Sequence, residues 1–206
     1  MGPEYSESCE LASLHSVSKG LLGECGMRGG YLYLHNFNPD IYQQLVKLKS
    51  INLCSNALGQ VMVDCMVNPP LEGVSKETKE KYLAEYKALL DSLKYRAKIV
   101  TTYLNSMVNV QANEVEGSMY AFPSVKFSKK AIAAAEKEGK VVDLFYCLEV
   151  LKNTGIAVVP GSGFRQVPGT YHFRITTLIL PESFLESKLK SFKKFNDEFH
   201  AKYADW

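Results

Sequence analysis

Short apolar runs and one long amphipathic run alternate along the chain, and they predict different elements. Near the start, LASLHS (11–16) and RGGYLYLHNF (28–37) predict two strands. Pro39 and Asp40 then open a predicted helix, and SNALGQVMVDCMVNPP (55–70) predicts a mostly buried helix stopped by prolines.

The middle of the chain is a long amphipathic stretch. Ser75 is a predicted helix N-cap, and apolar residues recur at helical spacing from there to about Met107. A helix of that length links two domains more easily than it hides within one core. Mixed strands and helices follow and predict a compact α+β domain. We therefore divide the chain into 1–75, a linking helix over 76–108, and an α+β domain over 109–206.

Composition excludes several classes of function. The 206 residues include 24 Lys plus Arg and 22 Asp plus Glu, so the net charge of +2 indicates neither nucleic-acid binding nor a polybasic membrane patch. No apolar run is long enough to span a bilayer, and the first residues carry no signal-peptide core. The odd cysteine count and the scattered histidines argue against disulfides and a metal site. We expect most cysteines to be small buried hydrophobes.

The segment HSVSKGLLGECGMRGGY (15–31) carries the main candidate chemistry. Lys19 supplies an amine, and lysine amines form imines with carbonyl compounds. Ser16, Ser18 and the glycine backbone amides suit a phosphate, and the forked guanidinium of Arg28 adds further donors. Together these groups could hold a phosphorylated aldehyde, of which pyridoxal phosphate is the biological example. The alternative, that the segment is only a surface loop, stays open.

A second arginine lies within a strongly apolar predicted strand. Arg174 stands in YHFRITTLIL, where an arginine is costly unless an anion pairs with it. A buried salt bridge is the structural interpretation, and a seat for a substrate carboxylate is the functional one. The pattern itself leaves both open.

Several separated segments resemble the class-I pyridoxal-phosphate aminotransferases. The segments SVSKGLLGECGMRGGY, MVNPP, GSMYAFP, LFYCLEVLKNTGIAVVPGSGF and GTYHFRITTLI occur in the same order as in that family and span nearly the whole chain. The resemblance implies an α/β fold, namely the C-terminal part of the aspartate-aminotransferase-like fold. It would comprise the end of the large cofactor-binding domain, a long linking helix, and the small α+β domain. The strands predicted over 11–16 and 28–37 would then belong to a mostly parallel sheet that is buried on both faces.

The same resemblance implies residue roles. Lys19 would bond the cofactor, pyridoxal 5'-phosphate, and move a proton between the substrate Cα and the cofactor. Ser16 and Arg28 would bind the cofactor phosphate, with Ser18 as a further helper, and Arg174 would clamp the substrate carboxylate. The implied reaction is amino transfer between L-alanine and 2-oxoglutarate, giving pyruvate and L-glutamate. The full-length proteins of this family are expected to be homodimers.

The position of Lys19 departs from the family pattern. In the family this lysine lies past the middle of the chain, whereas here only residues 1–18 precede it, and they contain no aspartate to hold the pyridine nitrogen. We therefore expect the C-terminal half of an enzyme, inactive alone, with residues 1–70 poorly ordered or aggregation-prone. An inactive interaction piece and another pyridoxal-phosphate reaction remain alternatives. The expected location is cytoplasmic, and a mitochondrial one stays open because any targeting peptide would lie upstream.

Overall fold

The elements lie close to the positions that the sequence pattern predicts. The computed structural model describes residues 2–117 and 119–205. In chain order the elements are α1 (Pro3–Ser8), β1 (Leu11–Ser16), β2 (Gly30–His35), α2 (Pro39–Ser50), α3 (Ala57–Val67), α4 (Lys76–Asn105), β3 (Val110–Gln111), β4 (Tyr120–Ala121), β5 (Ser124–Val125), α5 (Lys129–Lys137), α6 (Val142–Thr154), β6 (Val159–Pro160), β7 (Phe173–Thr176) and α7 (Glu182–Lys202).

Capping residues explain several of the helix boundaries. The side chain of Asn38 accepts a hydrogen bond of 2.8 Å from the backbone N–H of Asp40 at the start of α2. The predicted cap Ser75 is confirmed, because its hydroxyl accepts from the N–H of Thr78 at 3.2 Å. Helix α6 ends at Gly155, whose left-handed backbone (φ +70°) costs little because glycine has no Cβ.

The chain divides into two units, Met1–Lys81 and Tyr82–Trp206, and α4 contains the boundary. We refer to them as unit 1 and unit 2. The further division into 1–75, 76–108 and 109–206 remains a prediction.

Strands β1 and β2 of unit 1 form an antiparallel pair, so the expectation of a mostly parallel sheet is wrong for them. The register runs from Leu11 opposite His35 to Ser16 opposite Gly30. Neither strand is buried: most residues of both are exposed, and helix α3 contacts β2 without covering the pair.

Unit 1 buries very little of its apolar surface. Among its described residues only Val17 and Gly59 are buried. The expectation that α3 is mostly buried is therefore wrong, since Leu58, Val61 and Val67 are all at least 60% exposed. Most of their apolar surface therefore stays in contact with water.

Unit 2 contains the core of the described chain. Strand β7 lies between β4 and β6 in a three-stranded antiparallel sheet, and α6 packs against α7. The fully buried side chains include Tyr146 of α6, Phe173 of β7 and Phe192 of α7. Phe192 lies 5.5 Å from Phe173 between ring centroids, and the Tyr146 hydroxyl donates to the Asn196 side chain at 2.8 Å. Helix α7 thus buries an apolar stripe that includes Leu185, Leu189 and Phe192.

Most of the cysteines are not buried, so the prediction that most are small core residues is wrong. Cys147 is buried, whereas Cys9, Cys25 and Cys54 are exposed and Cys65 is intermediate, so most are not core residues. Burial in unit 2, helped by the nearby carboxylate of Asp143, raises the pKa of the Cys147 thiol to about 12.

Two properties of the described residues bear on function. None of the helices they form is long and apolar enough to cross a membrane. No group of three or more metal-ligating side chains comes together among them.

The burial difference predicts a difference in hydrogen exchange between the two units. Backbone amides of unit 2 helices α6 and α7 should exchange slowly, and those of β1, β2 and α3 should exchange faster, because little buried surface protects them. Hydrogen-exchange mass spectrometry of the monomeric chain measures this directly. Strong protection throughout residues 1–70 would contradict it.

The aromatic core predicts the cost of removing a ring. Phe192→Ala should lower the free energy of unfolding by about 3–5 kcal/mol, because the ring leaves a cavity that its neighbours cannot fill. The matched control is Phe184→Ala on the same helix, whose side chain is 49% exposed; it should cost under about 1 kcal/mol. Urea denaturation followed by near-ultraviolet circular dichroism compares them, and equal losses would contradict the assignment of the core.

Candidate active site

The predicted cofactor loop begins and ends at the same edge of the β1–β2 pair. Ser16 is the last residue of β1 and lies opposite Gly30, the first of β2. The Ser16 hydroxyl accepts from the N–H of Ser18 at 3.0 Å and donates to the carbonyl of Gly29 at 3.4 Å. The buried residue Val17 donates its N–H to the same carbonyl at 3.2 Å. The loop therefore starts as a tight, hydrogen-bonded turn.

Lys19 follows this turn and is exposed. Among the described residues its amine has no hydrogen bond and no ion pair, so it is available to a reactant. Arg28 closes the loop in a left-handed conformation (φ +54°), and its Nη1 donates to the carbonyl of Cys25 at 2.9 Å. That bond holds the guanidinium against its own loop while its other donors stay available.

Helix α3 supports the arginine end of the loop. A Cβ on Gly29 would lie 2.5 Å from the carbonyl oxygen of Gly59, so the two backbones approach as only glycines allow. Asn56 caps α3 by accepting from the N–H of Leu58 at 3.1 Å, and its amide donates to the carbonyl of Met27 at 2.7 Å. This contact between the loop and α3 was not predicted from the sequence. The one signal for it was Gly59, a glycine in the first turn of the helix.

Arg174 lies in the central strand of the unit 2 sheet, opposite Val159 of β6. Its guanidinium carbon is 4.4 Å from the centroid of the Tyr120 ring and 5.2 Å from that of the Phe164 ring. These are cation–π distances. No acidic side chain pairs with Arg174 within residues 2–117 and 119–205. The salt-bridge interpretation therefore finds no partner there, and the cation keeps donors for an anion.

The structure thus groups the candidate residues by unit. It brings Ser16, Ser18, Lys19 and Arg28 to one loop of unit 1, and it places Arg174 on the sheet of unit 2. The aromatic contacts of Arg174 were missed from the sequence, because Tyr120 and Phe164 are distant from it along the chain.

The donor set of the loop fits pyridoxal phosphate. An aldehyde needs an amine, and Lys19 presents an exposed one that has no competing partner among the described residues. A phosphate needs hydroxyl, amide or guanidinium donors, and Ser16, Ser18 and Arg28 supply these within the same loop.

Solved structures define the class of this fold. An alanine aminotransferase from Pyrococcus furiosus aligns with a TM-score of 0.69 at 25% identity, over 92% of this chain and 42% of that one. An aspartate aminotransferase from Rhizobium meliloti aligns with a TM-score of 0.61 over 90% of this chain, at 22% identity. The fold is therefore part of the aspartate-aminotransferase-like fold of pyridoxal-phosphate enzymes.

Comparison with known protein sequences finds more similar relatives within this class, although no family model matches the chain. Alanine aminotransferase 2 of Xenopus laevis is 46% identical over 205 residues, which are 100% of this chain but 37% of that protein. Glutamate–glyoxylate aminotransferase 2 of Arabidopsis thaliana is 45% identical over 205 residues, 42% of its length. The chain is thus similar, along its whole length, to the C-terminal part of alanine and glutamate–glyoxylate aminotransferases. It spans about two fifths of their length.

The contact between the two glycines predicts a sensitive position. Gly59→Ala should displace the Met27–Gly30 backbone, because the new Cβ would lie 3.0 Å from both Gly29 Cα and the Met27 carbonyl oxygen. We expect amides of the 15–30 segment to exchange about fivefold faster or more, as overpacking costs at least about 1 kcal/mol. Exchange mass spectrometry at subsecond labelling times measures this.

Gly26→Ala is the matched control for that experiment. It lies in the same loop, but a Cβ there meets nothing within 4 Å. Equal acceleration by both variants would show that the contact with α3 does not support the loop.

Proposed function

We propose that this polypeptide is the C-terminal part of a pyridoxal-phosphate-dependent aminotransferase that acts on L-alanine and 2-oxoglutarate. The observation that carries the proposal is the loop in which a free, exposed amine at Lys19 follows Ser16 and precedes Arg28. The names of the aminotransferase relatives support the choice of reaction. Pyridoxal 5'-phosphate, when bound, would supply the electron sink that makes the substrate Cα–H acidic.

The loop residues have separable tasks in this proposal. The amine of Lys19 would hold the cofactor covalently and, once the substrate amine has displaced it, would carry a proton to and from the substrate Cα. The hydroxyls of Ser16 and Ser18 and the guanidinium of Arg28 bind the phosphate and fix the position of the cofactor. The Ser16 hydroxyl would give up its bond to the Gly29 carbonyl in order to donate to the phosphate.

In this proposal unit 2 supplies the substrate-binding group, the guanidinium of Arg174. Arg174 is confined by aromatic rings and lacks an acidic partner within the described residues, so a substrate carboxylate can take its donors in a bidentate manner. The amino acid and the 2-oxo acid both carry this carboxylate. One arginine can therefore orient both substrates of the reversible reaction.

Three further elements of the proposal concern the complete protein. We infer a homodimer as the full-length assembly and a cytoplasmic location, although a Dictyostelium relative is named mitochondrial. An inactive fragment is the second candidate, and the large exposed apolar surface of unit 1 favours it for the isolated chain. In that case the chain alone yields no pyruvate from L-alanine and 2-oxoglutarate.

Selective labelling of Lys19 tests the proposed site. Pyridoxal phosphate is added to the chain, the product is reduced with borohydride, and the modified lysines are located by peptide mass spectrometry. The label should concentrate on Lys19, because the phosphate donors of the loop bring the aldehyde to that amine. Pyridoxal, which lacks the phosphate, should label it about tenfold less selectively.

Matched variants complete the labelling experiment. Lys19→Arg should remove the selective adduct, whereas Lys47→Arg, which changes an exposed lysine of α2, should leave it unchanged. Arg28→Ala should lower the selectivity of the phosphate form only. Label spread evenly over surface lysines would show that the chain has no cofactor site.

A further inference from the structure

Asp143 is an unusually placed carboxylate that the proposed reaction does not use. It lies in the first turn of α6 and is 1% exposed. Among the described residues no basic side chain pairs with it. Its Oδ2 instead accepts from the backbone N–H of Ser162 at 2.7 Å and from the amide Nε2 of Gln166 at 2.8 Å. Buried carboxylates are costly unless they are hydrogen-bonded in this way, so its oxygens hold the 161–166 turn.

The hydrogen bonds beyond Asp143 have a defined direction. A carboxylate only accepts, so the Nε2 of Gln166 must donate to it. The Oε1 of Gln166 then faces the Nδ1 of His172 at 3.0 Å and can only accept from it. His172 therefore carries its proton on Nδ1, and its ring orientation is set by the buried carboxylate through Gln166.

Gly161 permits this arrangement. Its N–H donates to the carbonyl of His172 at 2.7 Å, and a Cβ there would overlap the Oε1 of Gln166. The turn and the strand β7 are therefore joined both through backbone and through side chains.

Aromatic contacts continue from His172 to Arg174. The His172 ring stacks on Phe122 with 5.0 Å between centroids and 3° between planes. Phe122 meets Phe164 edge to face at 5.4 Å, and Phe164 faces the guanidinium of Arg174. Phe122 and Phe164 are 45% and 44% exposed, so burial alone does not hold these rings in place.

We propose that Asp143, Gln166 and His172 form a positioning relay that holds Phe122 and Phe164 in place and thereby orients Arg174. The relay acts on Arg174 indirectly, through the rings of Phe122 and Phe164, because none of its three members contacts the guanidinium. In so far as the relay concerns substrate binding, it rests on the carboxylate-binding function proposed above for Arg174. The orientation of the arginine itself can be tested separately.

Modification by phenylglyoxal, which reacts with accessible guanidinium groups, tests the relay in the 206-residue chain. Peptide mass spectrometry gives the modification rate of each arginine in one sample. Gln166→Leu should raise the rate at Arg174 about fivefold, the effect expected for losing one buried hydrogen bond. The rate at buried Arg96 of the same unit should not change. Val167→Thr, in the same loop and 70% exposed, is the matched control.

The outcomes separate the relay from general loosening of the unit. An unchanged rate at Arg174 in Gln166→Leu overturns the proposal. If Arg96 accelerates as well, the unit has loosened, and His172→Phe then decides, because it keeps the stacked ring and removes only the donor. Acceleration at Arg174 alone in that variant supports the relay, and no acceleration overturns it.

The proposed function is tested in the same assay by a different comparison. Propionate should slow modification of Arg174 in the parent chain if the arginine binds carboxylates. No protection by propionate overturns that binding function while leaving the result for the relay intact.

Discussion

Burial of Phe173 is the constraint on which the geometry of unit 2 depends. Its ring packs against Tyr146 and Phe192, and the three side chains are fully buried. Because side chains alternate along a strand, anchoring Phe173 in the core places Arg174 on the opposite face of β7. The aromatic core thus decides where the candidate carboxylate-binding group is presented.

The Arg174 cation needs a form of stabilisation different from that of an apolar core residue such as Phe173. The faces of Tyr120 and Phe164 attract the guanidinium of Arg174 without neutralising it, so its charge stays available to an anion. The buried carboxylate of Asp143 accepts instead from two neutral donors, the backbone N–H of Ser162 and the side-chain amide of Gln166.

The loop of unit 1 is held by a different kind of contact. Backbone hydrogen bonds, the Asn56 cap and the close approach of Gly29 and Gly59 fix its shape, while only Val17 and Gly59 of this unit are buried. Hydrogen bonds and close backbone packing define a conformation, but they contribute less free energy than burial of apolar surface. The candidate cofactor site therefore has a defined geometry on a weakly stabilised scaffold.

The sequence by itself determined the elements, because caps such as Ser75, the glycine stop at Gly155 and the apolar stripe of α7 are local signals. It also determined which chemical groups stand at Lys19 and Arg174, since residue type fixes an amine or a guanidinium, whereas their surroundings set how each reacts. Only the tertiary structure decided that β1 and β2 pair antiparallel, that α3 lies uncovered, and that aromatic rings rather than an acid surround Arg174. Those outcomes depend on contacts between residues far apart along the chain, which local patterns do not encode.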